Sequence, residues 1–165
     1  MLKLIGALMI CASCAYLGIR KSSELKNREK ALRNIYTALG HLETEISFCA
    51  NDLKSAFMNI DKNTDTHGIF KDAADRIEKF GIRKAWTYAV MNNKAEFVES
   101  DRELLLMLGT RLGMTDTKNQ MKHIGYMREL ISAQANTALS EYRRLGNMYR
   151  SGGIITGLFI ILIII

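Results

Sequence analysis

The sequence predicts an all-α protein, in which a bundle of about five to six helices lies between two hydrophobic membrane segments. Three observations lead to this fold class. The 165 residues include no proline, so the commonest helix breaker is absent. Apolar residues in the middle of the chain recur in alternating steps of three and four, which is the spacing of one helix face. Both ends of the chain are uncharged apolar stretches, and three cysteines are too few for a disulfide scaffold.

The first element is an N-terminal transmembrane anchor, which we predict over residues 1–20. No charged side chain occurs in residues 4–19, and a helix of this length spans about 24 Å. That is slightly shorter than a hydrocarbon core of about 30 Å. Long basic side chains can bridge the difference by extending to the lipid headgroups, and they stand on both sides of the stretch, at Lys3, Arg20 and Lys21.

Two alternatives treat this segment as a targeting signal. One is a secretory signal peptide cleaved among the small residues 12–15, and the other is a lipoprotein signal with Cys14 as the lipid acceptor. Either would make the chain an exported or lipidated interaction module. The apolar residues continue to Ile19 and then meet basic residues, which is the pattern of an anchor, so we favour the anchor.

The last element is a C-terminal hydrophobic segment over residues 151–165, with the sequence SGGIITGLFIILIII. It spans about 22 Å as a helix, so it either crosses the bilayer or lies in its interface. The basic residues that follow the first segment are Arg20, Lys21, Lys26, Arg28, Lys30 and Arg33. Those that precede the second segment are Arg143, Arg144 and Arg150. The positive-inside rule therefore places residues 21–150 in the cytoplasm.

Residues 21–150 are predicted to form a cytoplasmic helical bundle. A first long amphipathic helix ends in the polar run of residues 61–68, and its apolar seam consists of Leu32, Ile35, Leu39, Leu42, Ile46, Cys49, Leu53, Ala56 and Ile60. A last helix of about 30 residues starts near residues 115–117 and leads to the C-terminal segment. Its seam is interrupted only by Arg128 and consists of Met121, Ile124, Ile131, Ala135, Ala138, Tyr142, Leu145 and Tyr149.

Three short helices are predicted between the two long ones, and they supply partners that cover the apolar seams. The first covers residues 70–80 and is followed by Gly81 as a left-handed cap, and the second covers residues 82–90. The third begins at Ser100, because Ser100 and Glu103 have the spacing of a capping box. Trp86 is predicted to be a core residue, although an exposed tryptophan would be a good interface anchor.

The sequence lacks the common motifs of catalytic and cofactor-binding sites. It has no phosphate-binding glycine loop, no zinc-protease motif and no nucleophile elbow. Cys11 and Cys14 lie inside an apolar segment, where small side chains pack, and the histidines are isolated along the chain, at His41, His67 and His123. We therefore expect no cofactor and no metal, and predict that the protein is not an enzyme. The alternative is a membrane-bound enzyme with a site of scattered carboxylates and histidines.

The net charge of +6 is explained by the membrane rather than by nucleic acid. Acidic residues are mixed through the middle of the chain, and the basic excess lies next to the two apolar segments, where it can contact anionic lipid. A surface that binds nucleic acid would instead interleave basic and aromatic residues on one face. Membrane lipid is therefore an expected partner, and nucleic acid is not.

Glu43 and Glu45 lie between Leu42 and Ile46 of the first seam. Because they are two residues apart on a helix, their side chains point away from each other and do not form a paired acid–base site. Positions beside an apolar seam suit ion pairs between helices or between subunits. The two glutamates are therefore either surface charge or a contact for a partner protein, and a homo-oligomer is left open.

Several stretches resemble one family, the stage III sporulation protein AB (SpoIIIAB) family of endospore-forming bacteria. They are residues 1–10 (MLKLIGALMI), 42–46 (LETEI) and 85–86 (AW), Asp101 with 108–109 (LG), 112–113 (LG), 115–116 (TD) with Gln120, and 148–150 (MYR) before the apolar tail. The similarity runs from end to end. The family often has a proline after the LETEI block, whereas residues 48–53 (FCANDL) have none, so the first amphipathic helix is either continuous or broken near residue 50.

The resemblance implies a fold like that of the F-type inner-membrane platform proteins of type II secretion and type IV pilus systems. It also implies a place in the mother-cell membrane around the forespore, in a secretion-like channel complex that sporulation requires. The implied partners are stage III sporulation protein AA, which is a cytoplasmic secretion-type ATPase, the membrane components AC to AH, and protein Q of the forespore. The leading hypothesis is therefore a membrane scaffold that docks these partners.

Five polar residues are the predicted partner-binding positions, because they fall in stretches shared with the family: Glu43, Glu45, Asp101, Asp116 and Gln120. Asp101 and Asp116 also have a purely structural explanation. Both lie near predicted helix starts, where a carboxylate interacts favourably with the exposed backbone amides and the helix dipole.

Overall fold

The computed structural model describes residues 2–48, 52–113 and 116–164. The regular secondary structure within these residues is entirely α-helical. The six helices are α1 (Leu2–Phe48), α2 (Leu53–Asn63), α3 (Ile69–Phe80), α4 (Ile82–Met91), α5 (Glu99–Gly109) and α6 (Thr117–Ile164). The predicted all-α class is confirmed over the described residues. The predicted seam residue Cys49 and the family position Thr115 lie outside them.

The first amphipathic segment forms two helices rather than one. α1 is described to Phe48 and α2 begins at Leu53, and Asp52 between them has an extended ψ of 137°, so the helix is interrupted at Asp52 without a proline. α2 ends at Asn63, inside the predicted polar run, where the Thr64 N–H donates to the Ile60 carbonyl at 2.9 Å. The remaining predicted helices lie within one or two residues of their expected bounds.

The chain divides into two compact units, and α1 and α6 contribute residues to both. Unit 1 consists of Met1–Glu29 and Thr137–Ile165, and unit 2 consists of Lys30–Asn136. The predicted N-terminal anchor and the predicted C-terminal segment both fall in unit 1, and all five predicted partner-binding residues fall in unit 2.

Unit 2 is organised around three aromatic side chains from three short helices. Phe57 of α2, Phe70 of α3 and Trp86 of α4 are buried, with ring centroids 5.1 to 5.6 Å apart. The indole N–H of Trp86 donates to the Leu105 carbonyl of α5 at 2.6 Å. A Cβ atom at Gly109 would overlap the Trp86 ring, so the glycine allows α5 to approach α4 closely. Trp86 is therefore a core residue, as predicted.

The long helices complete this core with residues of the predicted seams and with Met127, which the predicted seam did not include. Within unit 2, α1 and α6 bury the apolar residues Leu32, Ile35, Leu39, Leu42, Ile124, Met127 and Ile131. Burying each large aliphatic side chain contributes about 1.5–3 kcal/mol relative to leaving it exposed. Hydrophobic burial is therefore the main stabilising term of this unit.

Two details of the helix ends differ from the sequence prediction. The predicted capping box of Ser100 and Glu103 is wrong: α5 begins at Glu99, and the Asp101 carboxylate accepts the Val98 N–H at 3.1 Å. The helix starts one residue earlier because Asp101, rather than Glu103, satisfies the exposed backbone donor. Gly81 has the positive φ expected of it, 75°, but its ψ of 159° lies outside the left-handed helical region.

In unit 1, α1 and α6 run antiparallel and touch through small residues. A Cβ atom at Gly153 would lie 2.6 Å from the Cys14 carbonyl oxygen, and one at Gly157 would lie 3.0 Å from Cys11 Sγ. Gly18 leaves similarly little room, because a Cβ atom there would overlap the Tyr149 carbonyl oxygen. The backbones of the two helices therefore approach each other as closely as glycine allows.

An ion pair joins the same two helices further along unit 1. Arg28 Nη1 donates to Glu141 Oε2 at 2.6 Å, and the Arg28 side chain is only 8% exposed. A short charge-assisted hydrogen bond of this kind fixes the register of the two helices.

Within the described residues, one helix is long and apolar enough to cross a membrane, and it is the stretch Thr117–Leu162 of α6. The apolar part of that helix is mostly exposed, with outward-facing side chains at Ile154, Ile155, Leu158, Phe159 and Leu162. This finding fits the predicted C-terminal membrane segment. The N-terminal anchor stays a prediction.

Candidate interaction surface

Glu43 of α1 forms an ion pair with Arg128 of α6. Arg128 Nη1 donates to Glu43 Oε2 at 3.0 Å, and the two side chains are 35% and 24% exposed for Arg128 and Glu43, respectively. The partners are 85 residues apart in the chain, so the pair is a tertiary contact. A partly exposed pair of this kind contributes about 1 kcal/mol or less to stability, and its main effect is to orient the two side chains.

Two glycines and one aromatic ring shape the space around this ion pair. A Cβ atom at Gly40 would lie 3.3 Å from Arg128 Cζ, and one at Gly125 would lie 3.1 Å from Glu43 Oε1. The Tyr36 ring lies against the same guanidinium group, with Arg128 Cζ 4.5 Å from the ring centroid. We call Tyr36, Gly40, Glu43, Gly125 and Arg128 the polar bridge.

A shallow groove opens on each side of the polar bridge. One has a volume of about 600 Å³, and its walls include Thr37, His41, Thr44, Ser47 and Met121. The other has a volume of about 590 Å³, and its walls include Glu129, Ser132, Ala133 and Asn136. Open grooves with hydroxyl, amide and charged groups suit contact with a protein surface better than enclosure of a small molecule.

Glu45 points to a different neighbour from Glu43. Asn59 Nδ2 of α2 lies 3.5 Å from Glu45 Oε1, at the long limit of a hydrogen bond. The two glutamates therefore contact different helices, as expected for side chains two residues apart on a helix.

Asp101 lies in the interior of unit 2. Its carboxylate accepts the Val98 N–H and also Gln134 Nε2 of α6, the latter at 2.8 Å, and the residue is fully buried. Gln134 Nε2 also lies 3.0 Å from Ser100 Oγ. Asp101 therefore ties the start of α5 to α6, which fits the helix-start explanation, and a fully buried carboxylate offers no surface to a partner protein.

Asp116 and Gln120 lie at the start of α6. Asp116 is exposed, its carboxylate accepts Asn119 Nδ2 at 2.6 Å, and its carbonyl accepts the Gln120 N–H at 3.0 Å. Gln120 is buried, and its Nε2 atom has no hydrogen-bond partner within the described residues. Asp116 therefore lies directly before α6, and its carboxylate accepts from a side-chain amide. The predicted contact of this carboxylate with exposed backbone amides stays a prediction.

The predicted partner-binding residues therefore do not converge on one site in the described part of the chain. Glu43 lies in the polar bridge, Glu45 lies against α2, and Asp101 is buried under α6. Asp116 and Gln120 lie together at the start of α6. Of these five residues, Glu43 is the one that lies in an ion pair with a groove on each side.

The sequence prediction missed most of the polar bridge. Arg128 was noticed only as an interruption of an apolar seam, and Tyr36, Gly40 and Gly125 were not singled out. A charged residue at a seam position indicates an opposite charge on the facing helix, and a glycine inside a long helix indicates a close neighbour. These two signals together could have located the bridge.

Clear shifts of pKa occur in exposed ion pairs outside this region. A hydrogen bond from Lys54, at 2.6 Å, lowers the pKa of Glu78, and the same contact raises the pKa of Lys54. A hydrogen bond from Lys21, with a further contribution from Arg20, lowers the pKa of Glu24. Among the described residues, no group of three or more His, Cys, Asp or Glu side chains is placed to hold a metal ion.

Comparison with known proteins gives consistent matches in sequence and fold. The profile of the family described as "Stage III sporulation protein AB" matches residues 3–165. A relative, Stage III sporulation protein AB of Bacillus subtilis (strain 168), is 26% identical over 170 residues, covering 99% of each chain. A solved structure, "Stage III sporulation protein AB (SpoIIIAB)", matches with a TM-score of 0.64 at 24% sequence identity. The match covers 70% of this chain and 96% of that chain, so the two proteins have a similar fold.

Two of the sequence stretches that carry the resemblance, residues 85–86 and 108–109, are in contact in unit 2, where Trp86 packs against Gly109. The family profile extends over nearly the whole chain rather than over one block of residues. The chain therefore belongs to the stage III sporulation protein AB family.

Proposed function

We propose that this chain is a non-enzymatic membrane platform of the stage III sporulation machinery. In this proposal unit 1 lies in the mother-cell membrane around the forespore, and unit 2 docks partner proteins in the cytoplasm. Among these partners we include stage III sporulation protein AA, the secretion-type ATPase that the family resemblance implies. The chain thereby contributes to a secretion-like channel complex between the two cells.

The observation that carries the proposal is the continuity of α6. One helix contains core residues of unit 2, such as Ile124 and Ile131, and the apolar segment that is long enough to cross a membrane. Membrane attachment and bundle packing therefore share one element. A protein built in this way is suited to hold other proteins at a membrane surface.

The contacts within unit 1 support a second membrane segment at the N-terminus. Lipid tails are as apolar as leucine, so helices in a bilayer associate through close packing of small residues rather than by hiding large apolar ones. Cys11, Cys14 and Gly18 of α1 meet Gly153 and Gly157 of α6 in this manner. Large apolar side chains of α1 point outward, where lipid would cover them, at Met9, Ile10, Tyr16, Leu17 and Ile19.

The charge distribution supports the cytoplasmic orientation. The basic residues between 20 and 33 and those at Arg143, Arg144 and Arg150 flank the two apolar segments on the same side. Positively charged flanks are retained in the cytoplasm during insertion. The same residues can then attract anionic lipid headgroups.

For docking, we propose the polar bridge and its two grooves as the contact surface, with Glu43 as its acidic group. Glu45 lies outside the grooves, beside Asn59 of α2, and we propose it as a second acidic contact. Charged residues at an interface set partner choice and orientation more than they set affinity. The Glu43–Arg128 pair presents its charges in a fixed geometry, because Tyr36 and the two glycines restrict the guanidinium and the carboxylate.

The test is co-purification of the full chain with stage III proteins from membranes of sporulating cells. We expect the wild-type chain to recover the ATPase, and expect Glu43→Arg and Glu45→Arg to lower the recovery about tenfold. Glu103→Arg is the matched control, because Glu103 is exposed on α5 and makes the same charge change. The double variant Glu43→Arg with Arg128→Glu distinguishes two causes of a loss. The swap restores an ion pair between the two positions, so recovery returns if only the geometry of the bridge matters. Recovery stays low if the partner contacts the Glu43 carboxylate directly.

The proposal has two ways to fail in this experiment. If the wild-type chain recovers no stage III protein, the docking role is wrong. If the Glu43 and Glu45 reversals leave recovery intact while Glu103→Arg abolishes it, the docking face is wrong. A cysteine placed at Glu103 in a chain without native cysteines checks the orientation, because a membrane-impermeant maleimide should reach it only from the cytoplasmic side.

A further inference from the structure

The outer face of α4 carries large apolar side chains that are exposed in the described part of the chain. Its inner face is buried in the core of unit 2 and consists of Ala85, Trp86, Ala89 and Val90. On the outer face, Lys84, Tyr88 and Met91 follow at the spacing of one helix stripe. Tyr88 is 46% exposed and Met91 is 58% exposed. Two large apolar side chains next to each other in solvent indicate a surface that is covered in the assembled state.

This face is a groove rather than a bulge. It has a volume of about 470 Å³ and is lined by Arg83, Lys84, Thr87, Tyr88, Met91 and Asn92. Its walls are mainly apolar, although two of the lining residues are basic. Long basic side chains can contribute apolar surface through their aliphatic stems. We call it the α4 groove. A concave apolar surface accepts the ridge of side chains of a helix, whereas a membrane surface is better matched by side chains that project outward.

The tyrosine of the α4 groove is held in place before any partner arrives. Arg76 Cζ of α3 lies 4.0 Å from the centroid of the Tyr88 ring. Arg76 is itself fixed by Asp72, whose Oδ1 accepts from Nε at 3.0 Å and from Nη2 at 2.9 Å. Because the ring is ordered in the free protein, binding loses less side-chain entropy. Met91, by contrast, is flexible and can adapt to the shape of the occupant.

The charges at the edge of the groove indicate the chemistry of the occupant. Arg83 and Lys84 are both exposed, and neither forms an ion pair with another described residue. The lining of the groove includes no acidic side chain. Complementary charge on the occupant would steer it to the groove and exclude basic competitors.

We infer that the α4 groove docks an amphipathic helix of a partner protein, whose apolar stripe is flanked by aspartate or glutamate. The apolar stripe covers Tyr88 and Met91, and the acidic flank faces Arg83 and Lys84. This inference rests on the proposed docking function and assigns to it a second surface, separate from the polar bridge.

The experiment uses the full chain in nanodiscs of neutral phosphatidylcholine and two labelled peptides. The first is an amphipathic helix of about 18 residues with leucines on one stripe and glutamates beside them, and the second carries lysines in place of the glutamates. Fluorescence anisotropy should show that the wild-type chain binds the glutamate peptide. The variant Arg83→Glu with Lys84→Glu should weaken this binding about tenfold and should bind the lysine peptide more tightly than the wild type does.

Two further variants keep the result interpretable. Lys62→Glu with Lys122→Glu makes the same charge change at exposed positions of α2 and α6, and it should bind the glutamate peptide within about twofold of the wild type. Met91→Gln removes the apolar contact without changing any charge and should also weaken binding. Circular dichroism confirms that each variant keeps its helical content.

Three outcomes overturn the inference. The first is no binding of the glutamate peptide, the second is equal binding of both peptides, and the third is an equal loss in the Lys62 and Lys122 control. If the wild-type chain instead recruits anionic phosphatidylglycerol vesicles through Arg83 and Lys84 without binding the peptide, the groove contacts a membrane and the inference is wrong. The platform function is judged separately, because recovery of stage III proteins by the wild-type chain does not depend on these peptides.

Discussion

In unit 1 the two long helices meet through glycine and cysteine and expose leucine, isoleucine and phenylalanine, whereas unit 2 buries such side chains in its core. Gly153 packs on the backbone at Cys14, while Leu158 and Phe159 on the same helix point outward. In unit 2, Phe57, Phe70 and Trp86 are buried against one another. The same two helices therefore follow opposite packing rules along their length.

This difference is the one expected if unit 1 lies in lipid, as we propose, and unit 2 lies in water. Water drives large apolar side chains inward, and this produces the aromatic core of unit 2. A lipid environment removes that driving force, so close backbone contact becomes the main way to hold two helices together. Loss of a large apolar side chain should therefore destabilise unit 2 most, whereas an added side chain at a close helix contact should destabilise unit 1 most.

The largest effect is expected in the aromatic core. Trp86→Ala removes the ring that contacts Phe57, Phe70 and Gly109, together with the hydrogen bond to the Leu105 carbonyl, and should lower the free energy of unfolding by about 3–5 kcal/mol. The measurement is urea unfolding of the full chain in mild detergent, followed by circular dichroism. Tyr126→Ala removes an exposed aromatic ring and should cost about 0.5 kcal/mol or less. Equal losses in both variants would contradict the assignment of Trp86 to the core.

A smaller effect is expected in the helix pair of unit 1, where two adjacent glycines give a matched comparison. A Cβ atom at Gly153 would lie 2.6 Å from the Cys14 carbonyl oxygen, whereas one at Gly152 would meet no described atom within 4 Å. Gly153→Leu should therefore destabilise the pair by about 1–3 kcal/mol, and Gly152→Leu should be nearly neutral.

Disulfide formation measures this difference within unit 1 alone. A cysteine introduced at Gly157 places its Cβ atom about 3.0 Å from Cys11 Sγ, so an oxidant should couple the two residues. Coupling should stay fast in the Gly152→Leu background and become slow in the Gly153→Leu background. If both backgrounds couple at one rate, the close contact of the two helices is wrong.

The smallest effect is expected at the exposed pair of Lys54 and Glu78 on the surface of unit 2. Because Lys54 lowers the pKa of Glu78 in the folded protein, the pair stabilises the fold above the ordinary glutamate value of 4.5. That stabilisation is lost as the pH falls through the lower folded value, where Glu78 becomes neutral. Glu78→Gln should therefore be slightly less stable than the wild type near neutral pH and equally stable in acid. Glu103→Gln, at an exposed position, should show no such pH dependence in urea unfolding.

Much of the fold followed from the sequence because the helices are amphipathic and lack proline. The steps of three and four in α1, α2 and α6 depend on burial against other helices, and Leu32, Ile35 and Ile131 are buried as that spacing requires. The start of α5 was misplaced because several side chains near it can satisfy the same backbone donor. Local spacing favoured Ser100 and Glu103, and the tertiary contact from Gln134 favours Asp101.

The polar bridge and the helix contact of unit 1 were harder to predict, since both depend on which residues face each other across more than eighty positions of the chain. The periodicity of apolar residues identifies large side chains that are buried. It does not identify Gly40, Gly125 or Gly153, whose role is to let atoms of a neighbouring helix approach the backbone closely. For the same reason the ion-pair partner of Glu43 was missed, although Arg128 stood out as a charge in an apolar seam.

The packing of Gly109 on Trp86 has a consequence for how this family evolves. Because any side chain at position 109 would occupy the space of the indole ring, position 109 cannot gain one while position 86 keeps tryptophan. A relative that acquires alanine or serine at the equivalent of Gly109 should carry a smaller side chain at the equivalent of Trp86. The two sites should therefore covary across sporulating bacteria, with glycine and tryptophan inherited together.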